Sequence, residues 1–198
     1  MEFYFDFISP FGFFAARQID DLAAKHGRTV DWKPFNLRTA AMTVGFDRPM
    51  VAYPIKGAYY THDIPRMARL FGIDPWNVSD IRALKPAVGA RAFYWVKDQD
   101  AQKAKQLALW LYGKIYSEAV AMDDPDMIAD YVAGMGLDGN ALKEALASED
   151  LKARYKTVTQ EAMDKGVFGS PFFIVDGEPF FGSDRLWMID KWLADGGW

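Results

Sequence analysis

The chain has 198 residues, no cysteine and only two histidines, His26 and His62. Without cysteine there are no disulfides, no thiolate metal sites, and no redox or nucleophilic chemistry on the protein's own sulfur. Two imidazoles are too few for a histidine-rich zinc site, so no metal is expected. No stretch approaches the ~18 consecutive apolar residues of a membrane span. The opening Met1-Glu2-Phe3-Tyr4-Phe5-Asp6 lacks the basic-then-apolar layout of a signal peptide. A soluble, cytoplasmic protein is the expectation. Basic residues are outnumbered 23 to 27, a net charge of -4, so the overall field offers no attraction to nucleic acid or to an anionic membrane.

Aromatics are abundant, with 15 Phe, 9 Tyr and 7 Trp. They must fill a core or line an apolar pocket. The length suits one large domain, or one domain carrying a substantial insertion.

Phe3 to Ile8 is short, aromatic and β-branched, which suits a strand buried on both faces. Ser9-Pro10 offers an N-cap followed by proline at the first helical position. Phe11, Ala15, Ile19 and Leu22 follow at helical spacing, and Gly27 closes that helix. Val30, Trp32 and Phe35 form a second strand, which Pro34 assigns to an edge or a strand end. From Asn36 to Pro54 the chain is rich in Met, Gly and Pro without periodicity and is read as a long loop. The middle is helical throughout, with helices expected over 59–71, 79–97, 100–120, 126–134, 140–147 and 149–165. After Gly166, Phe172 to Val175, the Asp176-Gly177 turn and Pro179 to Phe181 read as a β-hairpin. Gly182-Ser183-Asp184 then opens a last helix. The β-α-β and β-β-α ends flank a helical block. The fold class expected is therefore α/β, a thioredoxin-like fold with a large all-helical insertion. Residues 1–36 and 166–198 form the discontinuous thioredoxin-like domain, and 37–165 the loop plus helical insertion.

Three segments are candidates for chemistry. Ser9 sits where a strand gives way to a helix, where unpaired N–H groups favour an anion or a thiolate; the alternative is a plain N-cap. A serine-hydrolase reading fails because no G-x-S-x-G elbow surrounds it. Ser170-Pro171 presents backbone N–H and C=O to an extended peptide-like ligand if the bond is cis, and is otherwise an ordinary strand start. In Phe181-Gly182-Ser183-Asp184, Ser183 suits a carboxylate and Asp184 an ammonium, the two ends of an amino acid; the alternative is capping. His26 and His62 are read as surface or partner-satisfied histidines, and Arg48 and Lys56 as solvated charges before anion ligands.

Together FYFDFISPFGFF near the start, VFGSPFFIVDGEPFFGSDRLWMID near the end, and the strand–helix order between them resemble the DsbA-like, kappa-class glutathione transferase group, most closely its 2-hydroxychromene-2-carboxylate isomerases. The resemblance covers essentially the whole chain. It implies a thioredoxin fold, glutathione as cofactor, a homodimer and a small aromatic carboxylate substrate. Ser9 matches the family's catalytic serine, Ser170 the residue before a cis-proline, and Phe181, Gly182, Ser183 and Asp184 the glutathione-binding turn. The implied reaction interconverts 2-hydroxychromene-2-carboxylate and trans-o-hydroxybenzylidenepyruvate by reversible thiolate addition, bond rotation and elimination. A kappa-like transferase and a non-catalytic thioredoxin-like binding module are the alternatives. The chain departs from the family at Gly12 and Phe13, where some members carry Tyr or Ser. It departs again in the segment from Ser79 to Lys85, which ends in Lys. The 36–54 loop lacks an Asn-Arg pair that some members carry and has Arg48 nearby instead.

Overall fold

The computed structural model describes residues 1–78 and 84–198. Four strands, β1 (Glu2–Phe5), β2 (Asp31–Pro34), β3 (Phe172–Val175) and β4 (Glu178–Phe181), form one mixed sheet in the order β2-β1-β3-β4. β1 runs parallel to β2, with Phe3 opposite Trp32, and antiparallel to β3, with Phe3 opposite Phe173. Proline-bearing β2 lies on the edge, as Pro34 predicts. β3 and β4 make the hairpin, whose turn places Asp176 and Gly177 at φ of 54° and 92°, the left-handed pair that a two-residue turn needs.

The first helix is broken in two, α1 (Pro10–Ala16) and α2 (Ile19–Lys25), where the sequence suggests one. At the break the Gln18 side chain donates to Phe14 O at 2.7 Å, and the Gln18 N–H bonds Ala15 O three residues back instead of continuing the four-residue ladder. The segment read as a loop from Asn36 to Pro54 begins with a helix, α3 (Leu37–Thr43). Asn36 caps it by accepting from Thr39 N–H at 3.1 Å, a signal hidden by the lack of apolar periodicity. α4 (Pro54–Leu70) starts earlier than expected because Pro54 takes the first helical position. Then follow α5 (Ala87–Lys97), α6 (Ala101–Tyr116), α7 (Pro125–Gly134), α8 (Gly139–Ala147), α9 (Glu149–Asp164) and, after β4, α10 (Leu186–Asp195). The five residues 79–83 of the helix expected over 79–97 lie outside the described residues. No helix among the described residues is long and apolar enough to cross a membrane.

Alternation along β1 explains its double burial. Phe3 and Phe5 point into the larger core, where Phe3 stacks on Phe173 at 5.2 Å and meets Trp32 edge-on at 5.1 Å. Phe5 meets Phe7, Trp32 and, from α5, Phe93 at 5.3, 5.5 and 5.7 Å. Tyr4 points the other way, against Phe35 at 6.3 Å, in a smaller core with Ala162, Val167 and Phe172. The larger core thus runs without interruption from the sheet into the helical block.

Phe5→Ala, which removes a fully buried ring shared by sheet and helices, is expected to lower the unfolding free energy by about 3–5 kcal/mol. Denaturant titration checks this; a loss under about 1 kcal/mol contradicts the central place given to this ring.

Candidate functional site

The chain leaves β1 at Phe5 and turns through Asp6, Phe7 and Ile8 before Ser9 caps α1. Ser9 is extended, and its Oγ accepts from Gly12 N–H at 3.0 Å, so the capping reading of Ser9 is realised. The same hydroxyl donates to the carbonyl of Ser170, 161 residues away, at 2.8 Å. Ser9 is only 4% exposed. The Ser170-Pro171 bond is cis. Ser170's carbonyl therefore already accepts one hydrogen bond, and its hydroxyl accepts from Asp6 N–H at 3.0 Å.

The third segment joins at the next residue. Gly182 N–H donates to Pro171 O at 3.0 Å, which ties the turn after β4 to the cis-proline. Gly182 has φ of 108°, and a Cβ there would lie 2.4 Å from Asp184 Oδ1, so both backbone and space require glycine. Ser183 opens a short 3-10 turn (Ser183–Arg185) and does not cap the last helix, whose axis starts three residues later at Leu186. Ser183 is buried within this turn. The Asp184 carboxylate is 65% exposed and pairs with its neighbour Arg185 at 2.6 Å. The Phe181 ring covers Gly169, where a Cβ would sit 2.2 Å from it, and packs on Phe168 at 4.7 Å. Ser9, Ser170 and the 181–184 turn are thus neighbours through two hydrogen bonds at adjacent residues.

Three residues that sequence reasoning passed over complete the site. Asp6 is buried, and its carboxylate accepts from Ile8 N–H at 3.1 Å and Leu37 N–H at 2.8 Å. Burial pushes its carboxyl up to about 6, while those N–H groups and Arg38 pull the other way. Because the folded value lies above the ordinary one, keeping Asp6 ionised costs stability as pH rises through about 6. From α6, Tyr112 OH donates to Asp6 O and Tyr116 OH to Phe7 O, both at 3.1 Å. Burial holds both phenols well above their ordinary range, so they remain donors. Their spacing of four residues was the available signal, since it puts both hydroxyls on one helix face. Phe13 stacks on both rings, at 5.1 and 5.8 Å. Polarity absent at positions 12 and 13 is therefore supplied by α6.

Other candidates lie apart from this cluster. His26 Nε2 is 2.6 Å from Asp190, a partner-satisfied histidine, and His62 is exposed. Arg48 pairs with Asp47 at 2.7 Å and lies over Tyr53, while Lys56 lies over the Phe46 ring.

A family model described as a DSBA-like thioredoxin domain matches residues 1–194. The chain is 28% identical over 192 residues to a 2-hydroxychromene-2-carboxylate isomerase of Pseudomonas putida, covering 96% of this chain and 92% of the relative. It is 24% identical to the human glutathione S-transferase kappa 1, over 98% of this chain and 92% of that one. A solved structure of a 2-hydroxychromene-2-carboxylate isomerase superposes with a TM-score of 0.84 at 26% identity, covering 98% of this chain and 94% of the other.

At Gly12 a Cβ would lie 2.6 Å from the Tyr112 hydroxyl and 3.0 Å from Ser170 Oγ. Gly12→Ala is expected to push Tyr112 off Asp6 O and to cost roughly 1–3 kcal/mol in denaturant unfolding. An unchanged stability refutes the close packing of α1 on α6.

Proposed function

This chain belongs to the DSBA-like thioredoxin family, and from that premise we propose that it is a glutathione-dependent cis–trans isomerase. The substrate is 2-hydroxychromene-2-carboxylate, or a close aromatic analogue, interconverted with trans-o-hydroxybenzylidenepyruvate. The carrying observation is that Ser9 hydroxyl meets the cis-proline loop in a chain with no cysteine of its own. The relatives named as isomerases and as a kappa transferase support the reading.

The residues fit the tripeptide. Ser183 offers a hydroxyl for a carboxylate, and Asp184 an exposed carboxylate for an ammonium group. Ser170 offers its backbone to the peptide portion, with Phe181 and Gly182 shaping the edge of the turn. Bound glutathione supplies the thiolate whose reversible addition makes a conjugated double bond single for long enough to rotate. Ser9 holds that sulfur: its hydroxyl proton, which points to Ser170 O, turns outward, while Gly12 N–H goes on donating to its oxygen. A hydrogen bond to the charged form lowers the thiol's pKa. In the division proposed, 1–36 with 166–198 supplies the sulfur site, and 37–165, loop plus helical insertion, faces the aromatic substrate.

Turnover of 2-hydroxychromene-2-carboxylate is expected to require glutathione and to return it free; an equal rate without glutathione refutes the isomerase reading, and a conjugate that accumulates favours the transferase. Ser9→Ala is expected to raise the pKa of the bound thiol, followed by thiolate absorbance, and to slow turnover at least tenfold. Both values unchanged remove Ser9 from the mechanism. Asp184→Ala is expected to weaken glutathione binding by about ten- to hundredfold, read by calorimetry, because an ammonium partner is lost. Equal affinity withdraws that assignment.

A further inference from the structure

Asp6 uses every polar atom it has. Its N–H donates to Ser170 Oγ at 3.0 Å, and its carbonyl accepts from Ser9 N–H at 2.9 Å and from Tyr112 OH at 3.1 Å. One carboxylate oxygen accepts from Ile8 N–H in the turn before Ser9 and the other from Leu37 N–H at the start of α3, with the Phe7 N–H adding a weaker contact. One residue thus contacts both serines of the site, the helix that carries Tyr112 and the first turn of α3.

We infer that the Asp6 carboxylate is a positioning residue that holds the Ser9 turn against α3, so that its protonation loosens the glutathione site. This rests on the glutathione reading above. When a carboxyl takes up a proton, one oxygen becomes a donor and a poor acceptor. Either Ile8 N–H or Leu37 N–H then loses its buried partner, and the new O–H needs an acceptor of its own. The groups facing Asp6 are Arg38 on α3, Tyr112 and Tyr116 on α6, and Tyr155 on α9. The Asp6 charge and burial both keep the three phenols neutral, which leaves Arg38 as the facing cation that favours the carboxylate. With the carboxyl pushed up to about 6, the holding form dominates above that pH and is lost below it. His26, against Asp190, and exposed His62 belong to other parts of the molecule.

S-methylglutathione, which has no thiol to titrate, is the probe, with affinity measured by calorimetry between about pH 5 and 8. In the unaltered protein the affinity is expected to fall about five- to tenfold on the acid side of a midpoint near 6. The amide resonances of Ile8 and Leu37 are expected to titrate with that midpoint in the ligand-free protein. Asp6→Asn is expected to abolish both transitions. Amides that stay flat, an affinity without the acid limb, or an acid limb that persists in Asp6→Asn each overturn the inference. If Asp6→Asn does not fold, the unaltered protein's amides and affinity profile decide alone. Absence of any S-methylglutathione binding at every pH refutes the glutathione reading itself and with it the positioning role; amides that still titrate then show that the clamp exists without serving that ligand.

Discussion

A buried carboxylate in the turn after the first strand is the constraint on which the rest of the architecture depends. Asp6 is 1% exposed, and an ionised group so placed is tolerated only when its lone pairs are taken up. The chain meets that demand with backbone N–H groups from two directions, Ile8 and Leu37. α3 begins at Leu37 under its Asn36 cap, which brings the Leu37 N–H to the Asp6 carboxylate. The N-terminus of α3 has N–H groups to spare, and Asp6 uses one of them.

From that fixed turn the two ends of the chain close on each other. Ser9 N–H is held by Asp6 O, Ser9 hydroxyl by Ser170 O, and Ser170 hydroxyl by Asp6 N–H. These three bonds form a loop between residues more than 160 positions apart, and the aromatic core beneath, Phe3 on Phe173, keeps the same pairing in register. The Ser9 oxygen is thereby fixed in place before any ligand arrives, which lowers the ordering cost of binding, although its proton has to leave Ser170 O to meet a ligand.

The strands and their pairing were readable because their cause is local. Alternation of Phe3, Tyr4 and Phe5, proline in β2 and the Asp176-Gly177 turn each act within a few residues. The expected helical middle survives for the same reason, since Asp100, Asp124, Asp138 and Ser148 all cap as their types suggest. What could not be read depends on partners distant in sequence or on competing side chains. Gln18 diverts a carbonyl and splits the first helix, and Asn36 caps a helix that has only one buried position, Ala40. Ser183 carries the composition of a cap, yet the chain makes a 3-10 turn there because Gly182 leaves β4 at positive φ. Ser9 and Ser170 were visible as candidates, whereas Asp6 looked like one polar residue in an apolar strand. Only the fold brings the Leu37 N–H and the Tyr112 hydroxyl to it.

Two kinds of buried acid therefore surround the serine, and they behave oppositely. Tyr112 and Tyr116 are held protonated by burial, so their hydrogen bonds to the Asp6 and Phe7 carbonyls persist across any ordinary pH. Asp6 is raised only to about 6 because N–H groups and Arg38 offset part of the burial. The phenols thus supply a constant scaffold from α6, and the carboxylate supplies the variable contact toward α3. This division follows from donor and acceptor types: a phenol gives its proton to a carbonyl as a neutral group, whereas a carboxyl that must accept two N–H groups does so best when charged. Of these contacts, those made by the phenols stay as they are when the solution is acidified, and the one made by the Asp6 side chain is the one that responds.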